Sequence, residues 1–131
     1  MVFVDTSAWF AFFVPSDPNH SLVRDWFEHA AQPLLTTDFC IDETLTLLSV
    51  RRERRRAVEA GTEFFHGGIG AVHYIAPDEI HLAWLLFQQR ASAGWSFTDC
   101  TSKVVIDKLR IETALTLDDH FAQFGDVTIV P

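Results

Sequence analysis

Cysteine is scarce in this 131-residue chain, with only Cys40 and Cys100 present. They do not stand at metal-ligand spacing, and the even disulfide framework common in small secreted proteins is missing. Both read as buried thiols in a reducing cytoplasm, and the sequence leaves a pairing between them open. No apolar run approaches the ~20 residues that a membrane span needs, so none is expected. Met1-Val2-Phe3-Val4 has no basic residue before it, and Asp5 breaks an apolar stretch that resumes at Ala8. That pattern argues against a signal peptide. The six histidines show no zinc-binding spacing and read as surface or core residues. Gly67-Gly68-Ile69-Gly70 does not join a strand to a helix as a nucleotide-binding loop would, and reads as a turn.

Positive charge is also in short supply: 10 Lys and Arg stand against 18 Asp and Glu, for a formal net charge of −8. Taken alone, this argues against a nucleic-acid partner, because phosphate contacts need Lys and Arg. The distribution weakens that objection. Half of the basic residues lie between Arg51 and Arg56, in Arg-Arg-Glu-Arg-Arg-Arg. The run reads equally as a solvated helix face or as a phosphate-contacting patch, in which Arg51, Arg52 and Arg54 would meet substrate.

Apolar material is plentiful. Hydrophobic residues make up 48% of the chain, with 12 Phe and 4 Trp among them. That suffices for a packed core, and the length suits a single domain over residues 1–131. Strand candidates are residues 1–4, 33–36, 71–76, 114–117 and 127–130. Between them, apolar residues recur at helical spacing: a short helix over 8–13, then 20–31, then 38–54 continuing towards Gly67-Gly68, then 78–93, 96–110 and 119–124. Strands alternating with helices predict βαβ units and a mostly parallel α/β sheet. There is no repeat, low-complexity segment or internal linker.

In an open parallel sheet, ligands bind at the carboxyl ends of the strands. Asp5 ends the first strand candidate and Asp118 the fourth. Asp99 falls in the first turn of the helix that begins near Ser96, and Glu43 lies inside the helix from Asp38. Asp5 and Asp118 also fit helix N-caps, and Ser96-Phe97-Thr98-Asp99 fits a capping box. Glu43 shares a helix face with Cys40, Leu47 and Val50, whereas Asp42 shares one with Thr46, Ser49 and Glu53. Glu43 is therefore expected to point inward, with no basic residue within a turn to neutralise it. A buried carboxylate is unfavourable unless paired or bound to a cation. Oxygen ligands without His or Cys select hard ions such as Mg²⁺, Mn²⁺ or Ca²⁺.

Val4-Asp5-Thr6-Ser7-Ala8, Glu43 within Asp42-Glu43-Thr44-Leu45, Thr98-Asp99-Cys100 and Leu115-Thr116-Leu117-Asp118-Asp119-His120-Phe121 together resemble the motifs of PIN-domain nucleases. Order and spacing match across essentially the whole chain, and the likeness is strongest to the small VapC-type toxins of bacterial toxin–antitoxin pairs. The resemblance implies a three-layer α/β/α fold with a five-stranded parallel sheet. It implies that Asp5, Glu43, Asp99 and Asp118 form an acidic quartet holding Mg²⁺ or Mn²⁺, supported by hydrogen bonds from Thr6 or Ser7. Many members carry a basic residue after the fourth acid. Asp119 stands there instead, and Asp118 is preferred to it because it directly follows the strand.

The expected chemistry is metal-assisted hydrolysis of RNA phosphodiester bonds. Expected partners are an RNA substrate, a cognate antitoxin and a second copy of the chain. Trp9, Phe10, Phe12 and Phe13 read as core or as a partner surface rather than as base-stacking platforms, with Trp9, Phe10 and Phe13 the residues expected on such a surface. Lys103, four residues after Asp99, reads as its ion-pair partner or as a substrate contact. A non-catalytic module of the same fold, binding RNA or protein, is the alternative. A phosphoryl-transfer receiver domain fits poorly: Tyr74-Ile75-Ala76 ends the third strand without an acid, and no Lys follows the fourth or fifth.

Overall fold

The computed structural model describes all 131 residues. Five parallel strands form one sheet: β1 (Val2–Val4), β2 (Leu34–Thr37), β3 (Ala71–His73), β4 (Thr113–Leu115) and β5 (Thr128–Val130), in the order β3-β2-β1-β4-β5. The intervening helices are α1 (Thr6–Phe13), α2 (His20–His29), α3 (Asp38–Val50), α4 (Arg54–Thr62), α5 (Pro77–Gln89) and α6 (Phe97–Leu109).

β1 is central, with Phe3 paired to Leu35 of β2 on one side and to Ala114 of β4 on the other. Its three residues are fully buried, as expected for an apolar run covered on both faces. Alternation along the strand divides them. Val2 and Val4 join a core with Trp9, Val23, Ile41, Leu48 and Phe64 from α1 to α4 and the segment after it. Phe3 joins a second core with Ala83, Val105, Ile106, Phe121 and Phe124. The sheet thus lies between two helical layers, as the resemblance implies.

The connections out of β1 and β4 leave in opposite directions, the first towards β2 and β3 and the second towards β5. Such a reversal opens a crevice at the carboxyl ends of the two adjacent strands. Asp5 leaves β1 at this point, its N–H bonded to the Leu115 carbonyl of β4 at 3.0 Å.

Two boundaries differ from the sequence reading. The helix from Asp38 stops at Val50, and Arg52 turns the chain with a left-handed φ of 61° before α4 begins. The second helical stretch does end where the paired glycines predict: Gly68 takes a φ of 68°, which suits a residue without Cβ. β4 ends at Leu115, so Asp118 does not directly follow a strand. It caps a 3₁₀ turn, Asp119–Gln123.

Candidate metal centre at the sheet crevice

Asp5 is the deepest of the four predicted acids, only 3% exposed. Its Oδ2 accepts from the Ser7 hydroxyl at 2.8 Å, the Ser7 N–H at 3.3 Å and the Thr116 hydroxyl at 3.0 Å. Oδ1 has no protein donor. Thr6 Oγ1 is the only wholly buried side-chain polar atom without a partner, so Asp5 Oδ1 opens towards the crevice. Burial pushes the Asp5 carboxyl up to about 6, against the Ser7 and Thr116 hydrogen bonds, and the nearby Asp99 charge adds to the rise.

Asp99 is buried in the first turn of α6 and closes the capping box with Ser96. Its Oδ2 accepts from Ser96 N–H at 2.9 Å, while its own N–H donates to Ser96 Oγ at 3.0 Å. Asp118 Oδ1 accepts from His120 N–H at 2.9 Å. All three aspartates are therefore helix or turn caps, the bland reading of each. Every cap uses one carboxylate oxygen and leaves the other without a protein donor. Capping and cation binding are thus compatible in these residues, and the caps fix the orientation of the free oxygens.

Glu43 is half-buried on α3 and has no hydrogen bond or ion pair. It lines a shallow opening with Thr46, Leu47 and Thr98. Its charge reaches Cys40, as does that of Asp5. The helix face assigned to it is buried only at the Cys40 end, because Val50 is 71% exposed. Asp42 is exposed, as predicted.

Two residues at the centre were missed by the sequence reading. Thr116, flanked by leucines and buried, bonds Asp5 and also accepts the Asp118 N–H at 3.0 Å. Its position two residues before the fourth acid, just past a buried strand, was the available signal. His120, read as a surface or core residue, lies inside the acid cluster. Its Nδ1 donates to Asp99 Oδ2 at 3.0 Å and sits 3.5 Å from Asp118 Oδ1. Donor atoms of Asp99, Asp118 and His120 all lie within 4.8 Å of one another.

Other assignments change. Ser7, not Thr6, supports Asp5, and it also accepts the Leu117 N–H at 2.9 Å. Lys103 does not pair with Asp99: it holds both Asp107 oxygens at 2.7 Å, beside an opening lined by Ile111, Phe124 and Val127. Trp9 is completely buried and donates to Thr36 Oγ1, so it belongs to the core, while Phe10 and Phe13 are half-buried. In the basic run, Arg55 and Arg56 pair with Glu59 and Glu53. Arg51, Arg52 and Arg54 are exposed and form no ion pair, though the Arg51 guanidinium lies 5.9 Å from the Phe10 ring centroid. Cys40 and Cys100 are buried and unpaired, and burial pushes both thiols up to about 11.

The donor set fits a divalent cation. Three fixed carboxylates present unbonded oxygens, and no Lys or Arg pairs with them; Asp5 and Glu43 lie outside the group of Asp99, Asp118 and His120 donor atoms that fall within 4.8 Å of one another, Asp5 joining it through Thr116. The buried, unpartnered Thr6 hydroxyl adjoins Asp5 in the chain and is suited to a bound water.

The PIN domain family model matches residues 2–127. The 23S rRNA-specific endonuclease VapC20 of Mycobacterium tuberculosis is 30% identical over 131 residues, covering 100% of this chain and 99% of that protein. Ribonuclease VapC26 of the same organism is 27% identical over 134 residues, covering 98% of each. The crystal structure of VapC20, described as a sarcin-ricin loop cleaving toxin, superposes with a TM-score of 0.92 at 29% identity over the full length of both chains. Fold and family match agree: this chain belongs to the PIN-domain family.

Proposed function

We propose that this protein is a Mg²⁺- or Mn²⁺-dependent endoribonuclease and the toxin of a toxin–antitoxin pair. The observation that carries the reading is the convergence of Asp5, Asp99 and Asp118 at one crevice, each with a carboxylate oxygen free of protein donors. The full-length similarity to named ribonucleases supports it. In this reading Asp5, Asp99, Asp118 and Glu43 hold the cation. Asp119 is exposed, whereas Asp118 lies with Asp99 and His120, which favours Asp118 as the fourth acid.

A bound divalent cation supplies a water of lowered pKa and neutralises charge developing on the scissile phosphate. The chain's contribution is placement. Ser7 and Thr116 hold Asp5 through Oδ2 and so turn Oδ1 outward. The capping box does the same for Asp99. Because both hydroxyls spend their single proton on Asp5, the 3.2 Å contact between them is not a further hydrogen bond. Arg51, Arg52 and Arg54 are the unpaired cations that would meet RNA phosphates. Lys103 does not serve this purpose, because Asp107 occupies it.

The relatives' names point to structured ribosomal RNA as the substrate class. A cognate antitoxin would occlude the crevice. A second copy would cover part of the apolar surface of α5, where Ile80, Leu82, Trp84 and Leu85 are exposed. Purified protein stripped with EDTA should not cut a structured RNA hairpin, and added Mn²⁺ should restore internal cleavage. Cleavage that is unaffected by EDTA would overturn the metal-dependent reading.

A further inference from the structure

We propose that His120 is a nitrogen ligand of the cation, so that the site prefers Mn²⁺ to Mg²⁺; this rests on the metal-nuclease reading above. The acids alone would make an all-oxygen site, which suits hard ions. An imidazole added to the set shifts the balance towards first-row transition ions, which accept nitrogen readily, whereas Mg²⁺ favours oxygen and retains its waters.

The geometry is specific. His120 Nδ1 lies 3.0 Å from Asp99 Oδ2 and 3.5 Å from Asp118 Oδ1. Neighbouring ligand atoms around an octahedral ion are about 3 Å apart when each lies roughly 2.1 Å from the metal. His120 Nδ1 therefore stands at about the spacing of an adjacent ligand from one oxygen of each acid, and donor atoms of all three residues lie within 4.8 Å of one another, so the ring flanks the unbonded oxygen that each carboxylate keeps for a cation. One N–H cannot satisfy both carboxylates, and Asp99 Oδ2 already accepts the Ser96 N–H at 2.9 Å. The Nδ1 bond to Asp99 is thus dispensable to that oxygen. Nε2 makes no hydrogen bond within the protein, and the ring is one-third exposed. With Nδ1 on the metal, Nε2 would carry the single ring proton and donate a hydrogen bond to water, which keeps the imidazole neutral.

The backbone that carries the ring is held on both sides. Asp118 caps its own peptide at one side. On the other, Phe121 is completely buried against Phe3 and Phe124 and anchors the turn. A histidine serving only as a surface residue would need neither restraint.

Mn²⁺ bound to the wild-type protein, observed by pulsed electron paramagnetic resonance, tests this without a variant. Coupling to a directly bound ¹⁴N should appear, and should change to the ¹⁵N pattern when histidine alone is ¹⁵N-labelled. His120→Asn, checked for folding by circular dichroism, should lose that coupling. It should also bind Mn²⁺ at least about tenfold more weakly, with Mg²⁺ affinity changed much less. Bound Mn²⁺ without histidine nitrogen coupling would overturn the role of His120 while leaving the carboxylate site intact. Failure of the wild type to bind Mn²⁺ at all would overturn both this inference and the reading beneath it.

Discussion

Thr116 and Asp5 meet where β1 and β4 open, the Thr116 hydroxyl donating to Asp5 Oδ2 at 3.0 Å. Thr116 Oγ1 itself accepts the Asp118 N–H at 3.0 Å, so one hydroxyl fixes a side chain at the end of β1 and the backbone of the acid that follows β4. Thr116→Val keeps the shape and removes both bonds. A part-buried N–H and a buried carboxylate each lose a partner, and the expected destabilisation is about 1–3 kcal/mol at neutral pH, read by urea denaturation. Thr116→Ser retains the hydroxyl and should recover most of it. Equal stability of Thr116→Val and wild type would show that these bonds do not matter.

The Asp5 carboxyl gives the metal-free protein a pH dependence. Its ordinary value is 3.8, and burial raises it to about 6 in the folded state. The native state therefore binds this proton more tightly than the unfolded chain. The favourable contribution is complete below about 3.8 and is lost as pH rises through about 6. Two units correspond to roughly 3 kcal/mol. Metal-free wild type should lose stability relative to Asp5→Asn by about that amount between pH 4 and 7. Parallel pH profiles for the two proteins would contradict it. Mn²⁺ at about 100 times its dissociation constant should return roughly 2.7 kcal/mol to the wild type only.

Glu79 behaves in the opposite sense. It is 1% exposed, accepts the Ala76 N–H at 2.8 Å, and pairs with His73 at 2.9 Å and Lys108 at 3.3 Å. Burial alone would raise its carboxyl, but the Ala76 N–H, His73 and Lys108 together hold it below the ordinary 4.5. Its stabilisation is present above about 4.5 and lost as pH falls through the lower folded value. Glu79→Gln should destabilise the protein by about 1–3 kcal/mol at pH 7. The deficit should shrink in acid, as thermal melts would record, and a deficit constant with pH would refute the assignment.

Arg52 separates the two readings of the basic run. A left-handed φ of 61° is strained for arginine and easy for glycine. Arg52→Gly should therefore stabilise the fold by roughly 1 kcal/mol. If Arg51, Arg52 and Arg54 contact phosphates, each removal should weaken RNA binding and reduce the slope of log affinity against log salt by about 0.7–0.9. Unchanged RNA affinity in a stabilised Arg52→Gly protein would mark the run as a solvated face.

The sheet and the positions of its acids were legible because they depend on short apolar runs, strand-end aspartates and helical spacing. Phe3 is buried in the apolar run that reads as the first strand. The missed features depend on tertiary contact. His120 reaches Asp99 only because the turn after β4 folds back beside the start of α6, a relationship that neither local spacing nor hydropathy records. Lys103 sits four residues from both Asp99 and Asp107, and spacing alone does not distinguish them; Asp107 is exposed and free, whereas Ser96 and His120 already occupy Asp99 Oδ2. Glu43 is only half-buried because the packing of α3 fades towards Val50, and a helical wheel assumes uniform cover along a face.

The most direct test of the central claim is the cleavage rate of one structured RNA by wild type and Asp99→Asn in saturating Mn²⁺, with Asp42→Asn as an exposed-acid control. Removing a cation ligand forfeits several kcal/mol of transition-state stabilisation, so Asp99→Asn should be slower by at least about a thousandfold, while its circular dichroism spectrum stays folded and Asp42→Asn cuts normally. A folded Asp99→Asn protein that cleaves at the wild-type rate would contradict the account.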